Sequence, residues 1–198
     1  IAAALSVCHA LNIDLNLFKE SFQNLPKKAS VLQEIPSHQD VLIIDDTYNA
    51  EHLSMLNAFK YCQKKYPQQR KLLVVGDIIN LGDQSRYVHE SLLQPILDAD
   101  FAGVVTFGQD TQYLQQLLPQ DKCLGHFTDA HQCAVALAAI TQAKDVILVK
   151  GSRRNSTIHT IPQRLDEMLR QDHLPQSQSD NQFIYRADRI ATDANILR

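Results

Sequence analysis

The stretch Val41-Leu42-Ile43-Ile44-Asp45-Asp46-Thr47-Tyr48-Asn49-Ala50 decides how the rest of the chain is read. Apolar residues run directly into two acids, a hydroxyl, a phenol and an amide. An apolar run without polar alternation marks a strand buried on both faces of a parallel sheet, and the polar end marks where it surfaces. Ligands of open α/β sheets sit at that carboxyl edge. Two later stretches have the same shape: Leu72-Leu73-Val74-Val75-Gly76-Asp77 and Val146-Ile147-Leu148-Val149-Lys150-Gly151-Ser152-Arg153. Strand ends of this kind, repeated along one chain, imply a shared site.

Outward from residue 41 the alternation is regular. The pattern predicts a strand at 41–45 and a helix near 51–66, with Met55, Phe59, Cys62 and Tyr66 on one face. A strand at 71–76 leads to a helix near 84–98 that carries Val88, Leu92 and Ile96 inward. Strands at 102–107, 123–127 and 145–149 follow, with helices near 110–118, 130–142 and 157–171. Asp129 caps the helix near 130, with Gln132 three residues on. Strands separated by helices require parallel crossovers. The fold class is therefore α/β, a Rossmann-like, mostly parallel sheet of about five or six strands flanked by helices.

Before this unit, apolar positions at Ala4, Leu5, Cys8 and Leu11 and then at Leu17, Phe18, Phe22 and Leu25 predict a helical pair over residues 1–35. Pro26, Lys27 and Lys28 end it, both lysines facing solvent, and 36–40 is a linker. Ile1-Ala2-Ala3-Ala4-Leu5 reads as the middle of a helix in a longer chain, since it has neither a basic leader nor an initiator Met. Residues 175–198 are polar and aperiodic at first and form a tail of unassigned role.

With 198 residues and 44% hydrophobic content, the chain can build a core of its own. A net charge of −3 without a basic face argues against nucleic acid as a partner. The apolar run at Ala134–Ile140 is far too short to span a membrane. Cys8, Cys62, Cys123 and Cys133 show no C-x-x-C pairing and no zinc pattern. Cys8, Cys62 and Cys133 fall on apolar helix faces, as buried thiols of a reducing, cytoplasmic compartment do.

The chemistry is bounded first by what is missing. No G-x-x-x-x-G-K-[ST], no G-x-G-x-x-G and no G-x-S-x-G occurs. A nucleotide bound here would have its phosphates held by another domain. Asp46 stands where a carboxylate can take a ribose diol, bind Mg²⁺ or cap the next helix, whereas Asp45 alternates away from it. Lys150, Ser152 and Arg153 surround a glycine turn that can clamp a carboxylate or phosphate, or lie simply solvated. Gly76, Gly108 and Gly151 each follow a strand, where a glycine lets the backbone turn sharply or approach a ligand. His89 lies alone within its helix.

At this point the blocks resemble a known family. Asp45-Asp46-Thr47-Tyr48-Asn49-Ala50 resembles the D-D-[ST]-Y-N-A-N-P signature of the Mur ligases. Gly76-Asp77-Ile78-Ile79-Asn80-Leu81-Gly82, with His89, is similar to their G-D-M-x-E-L-G…H block, and Val149-Lys150-Gly151-Ser152-Arg153 matches V-K-G-S-R. The blocks keep their order and spacing over roughly residues 1–170.

The resemblance implies an ATP-dependent amide ligase of peptidoglycan precursor synthesis. It is nearest to members that add D-alanyl-D-alanine to UDP-N-acetylmuramoyl-tripeptide. It implies three domains, of which residues 41–171 are the C-terminal one and residues 1–35 the helical end of the central ATPase domain. ATP and Mg²⁺ would be held mainly by that central domain, and no catalytic residue would lie in this chain. Asp46, Tyr48 and Asn49 would bind ATP; Lys150, Ser152 and Arg153 would face the dipeptide; Gly108 and His89 are further candidates. A monomer that binds neither nucleic acid nor membrane is expected.

The sequence departs from the family where Glu51-His52 replaces Asn-Pro and where Asn80 replaces Glu. The Gly-Arg pair expected near Ser30-Val31 is absent. An inactive or substrate-shifted binding module is the alternative reading.

Overall fold

The computed structural model describes residues 2–18, 20 and 31–171. Lys27, Lys28, the stripe through Phe22 and Leu25, and the tail at 175–198 lie outside the described residues.

Helix α1, Ala2–Ala10, and a 3₁₀ turn at Leu15–Phe18 stand before the sheet. The sheet has six strands: β1 (Gln33–Pro36), β2 (Leu42–Asp46), β3 (Lys71–Gly76), β4 (Gly103–Phe107), β5 (Cys123–Phe127) and β6 (Val146–Lys150). Their spatial order is β1-β2-β6-β3-β4-β5. Strand β1 runs antiparallel to β2, and every other neighbouring pair is parallel. The helices after the sheet begins are α2 (His52–Lys65), α3 (Ser85–Glu90), α4 (Leu93–Asp98), α5 (Gln112–Gln115), α6 (Ala130–Ile140) and α7 (Ile161–Arg170).

The continuous apolar runs fill two cores. Side chains of a strand alternate between faces, so Leu73 and Val75 pack with Met55, Phe59 and Phe101, while Leu72 and Val74 pack with Cys133, Leu137 and Leu165. The first core holds an edge-to-face pair, Phe59 against Phe101, with centroids 5.8 Å apart. Burial pushes the Cys62 and Cys133 thiols up to about 12, which makes them poor nucleophiles at neutral pH. Cys8 and Cys123 are half-buried, and all four cysteines are unpaired. No helix among the described residues is long and apolar enough to cross a membrane.

Two elements differ from the sequence reading. The sheet begins at Gln33, inside the segment assigned to the helical pair, and adds an antiparallel edge strand. Its short Gln-Glu-Ile-Pro run lacks a strand signal of its own; pairing with β2 organises it. Glu34 then anchors it to α2, accepting from Tyr61 at 2.5 Å, from Tyr66 at 2.8 Å and from Lys65. The helix near 84–98 is two helices. Pro95 has no N–H to give the Ser91 carbonyl, so the ladder breaks there and restarts as α4. The Asp129 cap is as read, its carboxylate accepting from the Gln132 amide at 2.8 Å.

Candidate functional site

Because β2, β6 and β3 are parallel neighbours, their carboxyl ends share one rim. Register places Asp46 beside Lys150 and Lys150 beside Val75. The turns after these strands carry the polar residues of the sequence blocks.

Asp45 closes its own turn. One carboxylate oxygen accepts from the Thr47 amide at 3.0 Å and from its hydroxyl at 2.6 Å. Asp46 is buried and pairs with Lys150, whose Nζ lies 2.8 Å from Oδ2. Lys150 is only 1% exposed, and its ammonium also donates to the Asn49 carbonyl at 3.3 Å. The lysine thus ties the β2 turn to the end of β6. The resemblance implied that Lys150 faces the dipeptide; here its ammonium lies beside Asp46 and the Asn49 carbonyl.

The second turn is pinned differently. One oxygen of Asp77 accepts from the Gln109 amide at 2.9 Å. Its other oxygen accepts from the amides of Asp110 and Thr111 at 3.1 and 2.9 Å. That loop can close over the carboxylate only because residue 108 is a glycine. Gly108 has φ +120, and a Cβ there would meet Asp77 Oδ2 at 2.3 Å. His89, fully buried, accepts from the Ile78 amide at 3.0 Å through Nε2. Its Nδ1 faces the Ser85 carbonyl at 2.8 Å, so the proton sits on Nδ1. Asp110 accepts from the Ser85 hydroxyl at 2.6 Å, joining the two anchors. Gly108 and His89 therefore shape the rim from within.

In the third turn Ser152 is buried. Its amide donates to the Asp77 carbonyl at 3.2 Å and its hydroxyl accepts from the Arg154 amide at 3.3 Å. Gly76 and Gly151 touch here: a Cβ on Gly151 would lie 2.9 Å from the Gly76 Cα, so only a glycine pair lets the strand ends lie this close. Arg153 is exposed and stacks on Tyr48, its guanidinium carbon 4.5 Å from the ring centroid.

Three adjoining clefts line the rim. One of about 350 Å³ is walled by Asp46, Tyr48, Asn49, Glu51, Ser54 and Lys150. A second, of about 640 Å³, lies between Tyr48, Asn49, Asn80, Ser152, Arg153 and His159. A third, of about 830 Å³, is bounded by Asp77, Gly108, Gln109, Thr128, Arg153 and Asn155. Asp46 and Arg153 thus stand on the same rim.

These blocks match known proteins. The family model described as "Mur ligase, glutamate ligase domain" matches residues 32–153. The chain belongs to the Mur ligase family. A UDP-N-acetylmuramoyl-tripeptide–D-alanyl-D-alanine ligase of Rickettsia prowazekii is 33% identical over 115 residues, covering 58% of this chain and 25% of that protein. The ligase of the same name from Escherichia coli is 30% identical over 154 residues, covering 77% and 32%. The Mur ligase fold is also seen in the MurF ligase of Thermotoga maritima in complex with ADP. Its TM-score is 0.69 at 25% identity, covering 85% of this chain and 37% of that one. A MurF of Acinetobacter baumannii gives 0.70 at 25% identity, covering 83% and 36%. The chain spans about a quarter to a third of the length of the curated relatives it matches.

The departures from the family signature have local structural roles. Glu51 is the N-cap of α2, in a capping box with Ser54, so Glu51-His52 starts the helix that an Asn-Pro pair would start. Asn80 has φ +63, a left-handed conformation that asparagine tolerates better than glutamate. Val31 stands on the wall of the first cleft, near where the Gly-Arg pair was expected.

Sequence reading missed Ser54 as a wall of the first cleft, and Asn155 and His159 around the other two. A polar cluster at 152–157 directly after a strand was the available signal. Among the described residues no group of three or more His, Cys, Asp or Glu is placed to hold a metal ion.

Proposed function

We propose that this chain is the C-terminal domain of an ATP-dependent amide ligase that joins D-alanyl-D-alanine to UDP-N-acetylmuramoyl-tripeptide. The observation that carries the reading is the meeting of an acidic and a basic turn on one rim: Asp46 beside one cleft, and Arg153 stacked on Tyr48 at the next. Family membership and the named relatives support the substrate class.

In this reading ATP is a substrate whose nucleoside end enters the first cleft. Asp46 accepts from the ribose hydroxyls, and Tyr48 and Asn49 wall the base side. Lys150 neutralises Asp46 and fixes its rotamer. Asp46, already paired with Lys150, is a poor Mg²⁺ ligand in this cleft. The metal ion belongs to the central domain. Arg153 presents its guanidinium to the dipeptide carboxylate, which a planar fork binds through two parallel hydrogen bonds. Ser152 holds the turn that aims it.

The tripeptide carboxylate takes the γ-phosphoryl group, releasing ADP. The dipeptide amine then attacks the acyl carbon, phosphate leaves and the amine gives up a proton. The C-terminal domain aligns the amine and closes the site against water, an effect worth up to about 7–11 kcal/mol in well-oriented reactions. The unpaired thiols fit a cytoplasmic enzyme.

The test is ATP turnover by the full-length protein with D-alanyl-D-alanine against other amino acids and dipeptides. Turnover selective for D-alanyl-D-alanine supports the reading, and no turnover with any amine removes it. The second reading, a substrate-shifted or inactive module, is favoured by the Glu51 carboxylate and by Val31 on the nucleotide-cleft wall. Turnover selective for another amine would favour it. Residues 1–198 alone are expected to hydrolyse no ATP.

A further inference from the structure

We infer that Tyr48 is a positioning residue for Arg153 and so serves the dipeptide side of the reaction as well as the nucleotide side. The inference rests on the function proposed above and assigns Tyr48 a second task.

Tyr48 follows β2 and Arg153 follows β6, more than a hundred residues later in the chain, yet the guanidinium sits over the ring at 4.5 Å. Both residues are exposed, so burial does not fix the arginine. The clefts show what the stack does. Tyr48 walls the first and second, and Arg153 walls the second and third. The pair is therefore the partition between the acidic and basic parts of the rim.

A guanidinium lying on a ring face keeps its N–H edge available, whereas a freely rotating arginine must be ordered when ligand binds. The base of the stack is itself anchored. Thr47 is held by Asp45, and the Asn49 carbonyl by Lys150, so the backbone on both sides of Tyr48 is fixed. What the ring contributes is a π-face at a set height above the rim. Leucine at this position keeps the bulk and loses the face; phenylalanine keeps the face.

The experiment is steady-state kinetics of the full-length ligase, varying D-alanyl-D-alanine and ATP separately. Tyr48→Leu is expected to raise the dipeptide KM about two- to fivefold, the range of one exposed cation–π contact. Tyr48→Phe recovers the wild-type dipeptide KM. In an Arg153→Ala background, Tyr48→Leu adds nothing further to the dipeptide KM, whatever it does to the ATP KM. An unchanged dipeptide KM in Tyr48→Leu overturns the inference, as does an equal further increase in the Arg153→Ala background. An unchanged dipeptide KM in Arg153→Ala itself overturns the underlying assignment of Arg153, and the inference with it.

Discussion

Asp46 and Asp77 end neighbouring parts of one sheet rim, and they are held in opposite ways. Asp46 faces a lysine ammonium at 2.8 Å and walls a cleft. Asp77 faces three backbone amides and has both oxygens occupied. The first carboxylate is neutralised by a side chain that can be exchanged by mutation. The second is neutralised by a loop conformation that depends on Gly108. Two acids that look alike in sequence thus fasten different parts of the rim: Asp46 ties the β2 turn to β6 through Lys150, and Asp77 fastens the β4 loop to the β3 turn.

The strongest way to break this contrast is Lys150→Met. Removing the cation leaves a buried carboxylate unpaired, and breaking a buried pair from one side costs about 3–5 kcal/mol. Denaturant unfolding of the variant should show a loss in that range, with much of it recovered in the Asp46→Asn, Lys150→Met double variant. A loss below about 1 kcal/mol, smaller than that of a typical point mutation, would mean the pair is already solvated.

Next in size is Gly108→Ala. A left-handed residue forced on a side chain costs about 1–3 kcal/mol, and here the new methyl also meets Asp77. Thermal unfolding should fall accordingly. An unchanged midpoint would show that the amides of 109–111 do not depend on this backbone shape.

A third prediction lies away from the rim and asks whether acid acts there or elsewhere. Hydrogen bonds from Lys65, then Tyr61, together hold the Glu34 carboxyl down from 4.5 to about 2. A carboxylate lowered by folding stabilises fully above its unfolded value and loses that contribution as pH falls through the folded one. The β1 edge should therefore loosen between about pH 4.5 and pH 2, visible as faster amide exchange in β1 before β2. Glu34→Gln should abolish that step. Simultaneous loss of both strands would remove Glu34 as the cause.

The smallest stability effect belongs to Arg153→Ala. As a solvent-facing turn residue it should change unfolding by no more than about 0.5 kcal/mol, while under the proposed function the full-length protein should show a raised dipeptide KM. Unfolding without a selective substrate effect would make the arginine structural.

The strands of the parallel sheet were legible because Leu72–Val75 and Val146–Val149 are unbroken apolar runs, a pattern only two-sided burial explains. Strand β1 was not, because four residues ending in proline carry no period and owe their conformation to β2 and Glu34. The split at Pro95 was visible in sequence, because a proline inside a helical pattern removes a ladder hydrogen bond, but the apolar spacing of Val88, Leu92 and Ile96 carried the reading through it. At the site, Asp46, Tyr48 and Arg153 could be read as occupants of strand ends. The place of Lys150 could not. It depends on β6 lying beside β2, an order set by crossovers rather than by sequence proximity. Asp77 follows an apolar run much as Asp46 ends one, and the loop after β4 is what distinguishes their partners.

The central claim is that the rim formed by β2, β3 and β6 is the substrate-facing half of a ligase site. A crystal structure of the full-length protein with ADP and D-alanyl-D-alanine tests it most directly. The account predicts the ribose within hydrogen-bonding distance of Asp46 and the dipeptide carboxylate on Arg153, with Tyr48 between them. Both ligands bound away from this rim, or the ribose and dipeptide on the same side of Tyr48, would contradict it.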